Sequence, residues 1–154
     1  MSASELSWQL YRFDELSTDQ LYAIIRLRQD IFVVEQNCIY SDLDGLDQES
    51  LHLCGWRDNE LLCYLRCLPP GLDYQESALG RILVGPAARG LKLGRELVRR
   101  GIEVNLKQWP GSGIRIGAQA YLEGFYEDLG FETCSDVYDE DGIPHIKMTF
   151  KESP

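Results

Sequence analysis

Residues 6 to 13, LSWQLYRF, are rich in aromatic and aliphatic side chains and predict a first strand. Ser17 then opens a helix, with Gln20 three residues on as its capping-box partner and Asp19 at the positive end. Leu21, Ile24, Ile25, Arg28, Ile31 and Phe32 recur at helical spacing, and all but Arg28 are apolar. The polar, acidic stretch from Ser41 to Ser50 reads as a loop. Leu51 to Trp56 and Glu60 to Leu68 are strand-like runs joined through Asp58-Asn59, a dipeptide suited to a tight hairpin. Ala78 to Val84 forms the next strand, closed by Gly85-Pro86, and a helix is predicted from Gly90 to about Lys107, burying Leu93, Leu97, Gly101 and Val104. Ile114 to Ala118 follows as a strand and Tyr121 to Leu129 as a helix that Gly130 stops. Phe131 to Tyr138 and Pro144 to Phe150 end the chain as two strands around an acidic turn. The order β-α-β-β-β-α-β-α-β-β predicts an α/β domain, a mixed sheet with helices packed on it.

The 154 residues fit one domain, residues 1–154, and 44% hydrophobic content suffices for a core. No apolar run reaches the length of a bilayer span and no secretory leader is evident, so a cytoplasmic protein without membrane association is expected. Cys38, Cys54, Cys63, Cys67 and Cys134 are odd in number, and with His52 and His145 far apart they offer no zinc spacing, so no metal is expected. A net charge of −10 argues against nucleic-acid binding. Its distribution says more. Residues 81 to 100 hold six bases, Arg81, Arg89, Lys92, Arg95, Arg99 and Arg100, against the single acid Glu96, while the remainder is strongly acidic. One basic island on an acidic chain predicts one anionic ligand there.

That island is RILVGPAARGLKLGREL, residues 81 to 97. A strand ends, a short loop follows, and a helix starts with glycines and bases in its first turn. The first N–H groups of a helix lack internal partners and sit at its positive end. Glycine lets a phosphate approach that backbone, and Arg89, Lys92 and Arg95 add full charges. The segment is neither a P-loop nor a dinucleotide fingerprint.

In its spacing the segment resembles the acetyl-CoA motif of the GNAT N-acetyltransferases, Q/R-x-x-G-x-G/A, with Arg89 first, Gly94 last, and Lys92 where the middle glycine is usual. FYEDLGF, residues 125 to 131, resembles the family's Y-x-x-x-G-F. FVVEQ (32 to 36), GAQA (117 to 120) and DGIPHI (141 to 146) are similar to the ElaA-like branch, and the resemblance runs from about Trp8 to Met148. It implies a central mixed sheet with a splayed parallel pair, flanked by helices, and acetyl-CoA as acyl donor. Leu83 and Val84 would hold the pantetheine, and Arg89, Gly90, Leu91, Lys92, Leu93, Gly94 and Arg95 the pyrophosphate. Tyr126 would protonate the departing thiolate.

The chemistry implied is direct attack of a neutral amine on the thioester. A lysine-like amine has a pKa near 10.4, so a base is needed, and three candidates stand. Glu35 ends the first helix where acceptors dock in the family, and His145 and His52 belong to the one side-chain type that titrates near neutrality. Gln36, His52 and Gln119 are candidate acceptor contacts, Gln119 alternatively capping the next helix. The acidic stretches 42–49 and 136–141 would favour a cationic amine, small or peptide-borne, if they rim the acceptor site. An exposed strand edge leaves room for a homodimer. The competing readings are a non-catalytic acyl-CoA-binding module, which would not need Tyr126, and an enzyme using another phosphate-bearing cofactor.

Overall fold

The computed structural model describes residues 5–89 and 92–151. Among these, eight strands join one mixed sheet: β1 (Ser7–Arg12), β2 (Leu51–Arg57), β3 (Glu60–Leu68), β4 (Ser77–Val84), β5 (Ile114–Gln119), β6 (Glu132–Thr133), β7 (Tyr138–Glu140) and β8 (Ile143–Phe150). The spatial order is β1-β2-β3-β4-β5-β8-β6, with β7 also paired to β8. Of these pairings only β4–β5 is parallel. Three α-helices flank it: α1 (Thr18–Arg28), α2 (Leu93–Gln108) and α3 (Glu123–Asp128). The mixed α/β architecture is as the sequence predicts.

Local chemistry explains the elements that position the cleft. Ser17 caps α1 as its sequence implies, Oγ accepting from the Gln20 N–H (3.1 Å) while the Ser17 N–H donates to Gln20 Oε1 (2.9 Å). Beyond Arg28 the helix widens into a π-helical segment, Gln29–Glu35, a form that is rare and concentrated at functional sites. The β2–β3 hairpin turns at Asp58, whose φ of 55° is left-handed. Helix α2 buries Leu93, Leu97, Val98, Gly101 and Ile102 against the sheet. Gly101 allows this close approach, since a Cβ there would stand 2.8 Å from Leu65 Cδ1. The sheet thus divides two cores, one under α2 and α3, the other under α1 and the π-helical segment.

Two expectations are corrected. The helix predicted from Tyr121 begins as a 3₁₀ turn at Ala120–Leu122 and is α-helical only from Glu123. It ends as expected at Gly130 (φ 104°), where the Phe131 N–H donates to the Tyr126 carbonyl (3.1 Å). The continuous strand predicted over Phe131–Tyr138 is two short pieces, β6 and β7. Between them the Lys147 N–H donates to Ser135 Oγ (2.8 Å), so a side chain replaces the backbone acceptor that an unbroken strand would supply.

Candidate active site

The sheet is held shut at one end of β4–β5 and open at the other. The two strands pair only at Ser77↔Ile114 and Ala78↔Arg115. Ser77 Oγ donates to the Gly113 carbonyl (2.6 Å), and Asn105 of α2 donates to Ser77 Oγ (3.1 Å) and the Ala78 carbonyl (3.0 Å), pinning that end. Further along, β4 places Arg81 and Ile82 opposite the single residue Leu65 of β3, a bulge that carries Arg81 into the left-handed region (φ 49°). Past the bulge β4 stays with β3 and β5 stays with β8, so the parallel neighbours part. The gap is a cleft of about 500 Å³ walled by Leu79–Val84 on one side and Ile116–Gln119 on the other.

At the donor end, Arg89 lies on the cleft wall, its Nε donating to the Val84 carbonyl (3.3 Å). Lys92 is the residue before α2 and holds φ 59°, ψ 30°, the left-handed conformation that glycine adopts at no cost. The position where the family motif usually has glycine therefore keeps a glycine-like backbone with a lysine on it. Gly94 is half-open, its missing Cβ 3.8 Å from Phe125 and 3.9 Å from Val84, while Arg95 is exposed. Leu93 is buried. Leu83 and Val84 pack their side chains into the two cores and line the cleft. Gly90 and Leu91 lie outside the described residues.

Tyr126 stands in the wall, 5% exposed, with Phe125 and Phe131 edge-on to its ring at centroid distances of 5.1 and 5.8 Å. Burial pushes its phenol well above the ordinary value, so it stays protonated across the neutral range. Glu35 and Arg89, expected in separate roles, meet in an ion pair of 2.7 Å. Gln36 and Gln119 also meet, amide to amide, at 3.5 Å across the cleft. His145 lies opposite Gln119 in the β5–β8 ladder. Its Nδ1–H donates to the Ile143 carbonyl (2.7 Å), which leaves Nε2 toward the Glu140 carboxylate at 3.3 Å.

His52 is not part of this assembly. It is 1% exposed, its Nε2–H donating to the Asp47 carbonyl (2.9 Å) and its Nδ1 accepting from Tyr64 (2.6 Å). Burial lowers its pKa. A ring with both nitrogens engaged inside the core takes no substrate proton.

The acidic stretch 42–49 is likewise corrected. Asp42 meets Arg28 (2.9 Å) and Arg81 (2.8 Å), Asp47 meets Arg28 (2.7 Å) and Arg66 (2.9 Å), and Asp44 meets Arg66 (2.7 Å). These acids neutralise buried arginines. The basic island shrinks correspondingly, since Arg81 belongs to that network and Arg99 and Arg100 both pair with Glu96 at 3.0 Å. Arg89, Lys92 and Arg95 remain at the helix start. The second acidic stretch does reach the cleft, through Glu140 and Asp141.

Sequence reasoning missed Tyr40, which lines the cleft, donates to Asp42 (3.2 Å) and lies 5.7 Å from the Arg81 guanidinium. Burial raises its phenol to about 12. Nothing near residue 40 marks it in the sequence, because its partners are brought in by the arginine network. All five cysteines are free and four are buried; burial pushes the Cys63 thiol up to about 12. Among the described residues no group of three His, Cys, Asp or Glu side chains is placed to hold a metal ion, and no helix is long and apolar enough to cross a membrane.

A mixed sheet opened between two parallel neighbours, with a cationic helix start at its mouth, defines an acyltransferase of the GNAT class. The family model for the GNAT acetyltransferase domain matches residues 19–152, and the chain belongs to that family. It is 43% identical over 145 residues to the Escherichia coli protein ElaA, covering 93% of this chain and 95% of that one. The crystal structure of ElaA superposes with a TM-score of 0.89, at 42% identity over 95% of this chain and 99% of that chain. An acyl-CoA N-acyltransferase from Pseudomonas aeruginosa superposes with a TM-score of 0.91, at 39% identity and the same coverage.

Proposed function

We propose that the protein transfers an acetyl group from acetyl-CoA to an amine in the cytoplasm, by direct attack. The observation that carries this reading is the cleft between β4 and β5, lined by Arg89 and its ion-pair partner Glu35, by the buried phenol of Tyr126, and by Gln119 and His145. The residues fit the donor. The half-open backbone at Gly94 and the charges of Arg89, Lys92 and Arg95 suit a pyrophosphate. The edge of β4 at Leu83 and Val84, without a β5 partner, suits the amides of pantetheine. An N–H there would stabilise the oxyanion as it forms, a contribution that mutagenesis elsewhere places at about 10²- to 10³-fold.

In this scheme the amine lone pair forms the C–N bond at the thioester carbonyl, and collapse of the tetrahedral centre breaks the C–S bond. The thiolate takes its proton from Tyr126 Oη, whose raised pKa keeps the O–H in place until then. The ammonium proton passes to Glu35 or to His145 Nε2, both of which line the cleft. The Nδ1–H of His145 is held by the Ile143 carbonyl, which fixes Nε2 as the proton-accepting nitrogen of the neutral ring.

Calorimetric titration of acetyl-CoA into the wild type and Arg89→Ala, followed by thiol release on adding primary amines, tests the reading. Micromolar binding that weakens in the variant, and amine-dependent thiol release, are expected. Failure of acetyl-CoA to bind the wild type refutes it. A pH–rate profile whose acidic limb is altered in Glu35→Gln but not in His145→Gln assigns the base to Glu35, and the converse assigns it to His145.

A further inference from the structure

On the face of β5 and β8 turned away from α2, the ladder sets Gln119 opposite His145 and Gly117 opposite Lys147. Gly117 lines the cleft and is exposed. The point where a Cβ would stand on it lies 3.1 Å from Tyr138 Oη, 3.2 Å from Lys147 Nζ and 3.6 Å from Tyr74 Oη. Three polar atoms from three parts of the chain therefore surround one bare, solvent-open stretch of backbone.

These atoms share a chemical sense. The ion pairs of this face are Arg115 with Glu76 (3.6 Å) and His145 with Glu140 (3.3 Å), and Lys147 is in neither. Its Nζ donates instead to Tyr74 Oη (2.5 Å) and lies 4.8 and 4.9 Å from the ring centroids of Tyr74 and Tyr138. An ammonium has three donors and no acceptor. Tyr74, accepting from it, has its own O–H left to donate, and the buried Oη of Tyr138 makes no hydrogen bond of good geometry. Arg115, paired with Glu76, lies 5.3 Å from the Tyr74 ring on the far side of the cluster from Tyr138. In a chain of net charge −10, this is a cluster of donors and positive charge with no acid assigned to Lys147.

We propose that the polar cluster over Gly117, formed by Lys147, Tyr74 and Tyr138, binds a carboxylate of the acceptor at the exposed edge of Gly117, the side-chain tips parting to admit it. The inference rests on the acyl-transfer reading above, whose acceptor it describes. Two residues along a strand span about 7 Å. The carboxylate at Gly117–Lys147 and the amine at Gln119–His145 are therefore about that far apart. The amine end is bounded by Glu140 and Asp141, which line the cleft, and the donors stand over Gly117, which also lines it, so acids face one end of the acceptor and donors the other. The fitting substrate is a zwitterion whose amine and carboxylate are several bonds apart. An α-amino acid reacting through its α-amino group has both on one carbon and does not span the gap.

The probes are 5-aminopentanoate, with four methylene groups between amine and carboxylate, and pentylamine, which lacks the carboxylate. Each is titrated calorimetrically into the protein saturated with CoA, and each is assayed for thiol release with acetyl-CoA. The expected result is a Kd for 5-aminopentanoate at least tenfold below that for pentylamine, about what one charge-assisted hydrogen bond contributes. That ratio should fall to within about twofold in Lys147→Met and in Gly117→Ala, which crowds the cluster without removing a charge. Tyr74→Phe keeps the ring and removes one donor, and should lower the ratio partway; it decides the matter if Lys147→Met fails to fold. A ratio near one in the wild type, or an undiminished ratio in Gly117→Ala and Tyr74→Phe, overturns the proposal. Selective binding without thiol release leaves the carboxylate site standing and removes the acetyl-transfer reading; equal binding with turnover does the reverse.

Discussion

The ion pair between Arg89 and Glu35 joins the residue expected to meet the donor's phosphates to one expected to serve the acceptor. If Arg89 must leave Glu35 to reach the phosphates, donor binding is weakened by whatever the pair is worth. Both side chains are close to half exposed, 45% and 43%, so solvent screens the attraction and the pair contributes about 0.2–1 kcal/mol. Glu35→Gln removes that competition. The donor should then bind between about 1.4- and 5-fold more tightly, at a factor of ten per 1.4 kcal/mol. Loss of a negative charge near an anionic ligand acts in the same direction within the Debye length, about 10 Å at 0.1 M salt. Turnover moves the other way, by about 10²- to 10⁴-fold if Glu35 is the base.

Tighter binding with slower chemistry is a signature that general damage to the site does not produce. The assay is a calorimetric Kd for acetyl-CoA in the wild type, Glu35→Gln, Arg89→Ala and the double variant, at low and high salt. The gain from Glu35→Gln should shrink at high salt and largely vanish when Arg89 is already alanine. A Glu35→Gln protein that binds the donor no better than the wild type at low salt refutes the argument.

Tyr126→Phe keeps the ring against Phe125 and Phe131, so the melting temperature should stay within a few degrees while kcat falls at least about 100-fold; unchanged turnover would remove Tyr126 from the chemistry. Asp47→Ala leaves Arg28 with Asp42 alone and Arg66 with Asp44 alone, and should cost about 1–3 kcal/mol in denaturant unfolding; no measurable loss contradicts the ion network. Burial pushes the Asp47 carboxyl up, but the hydrogen bonds and charges of Arg28 and Arg66 outweigh it and hold it below the usual range. Its folded pKa being the lower one, its stabilisation is complete above the unfolded value near pH 4 and is lost as pH falls below that; stability rising on acidification from pH 5 to 3 would reverse the sign. Lys92→Gly relieves a left-handed conformation worth about 1–2 kcal/mol, partly offset by glycine's freedom in the unfolded chain, about 0.5–1 kcal/mol. A melting temperature about 1–4 °C higher is expected, and a lower one shows that the lysine side chain stabilises its own strained turn.

Features decided within a few residues were legible in the chain. Ser17 and Gln20 cap each other because both partners lie in one turn, and the Asp58 hairpin and the Gly130 stop are equally local. The buried stripe of α2 follows from helical spacing alone. Features decided by long-range pairing were not. The arginine network joins residues 14 to 39 positions apart, so the acids of 42–49 look free in the sequence and are committed in the fold. His52 resembled a candidate base for the same reason: Tyr64 and the Asp47 carbonyl are assigned to it only by strand register. The break between β6 and β7 depends on one hydroxyl, that of Ser135, finding the Lys147 N–H.

The two halves of the cleft differ in how they are encoded, and that difference has a consequence. The proposed donor half lies largely in one contiguous stretch, 81 to 97, where backbone conformation and three exposed charges would do most of the recognition; a short motif suffices to signal it. The acceptor half is collected from the π-helical segment, the loop at Tyr40, β5, the turn at Glu140–Asp141 and β8, and none of these residues is distinctive alone. What assembles them is the antiparallel β5–β8 register, which places Gln119 beside His145 and Gly117 beside Lys147 on one face. Side chains alternate along a strand, so a slip of one residue in that pairing would turn all four toward the α2 core and bring Ile116, Ala118, Ile146 and Met148 to the cleft. The hydrophobic face therefore fixes the proposed acceptor site as a by-product of folding. Substitutions at the outward positions 115, 117, 119, 145 and 147 can change acceptor chemistry without disturbing the core or the donor segment.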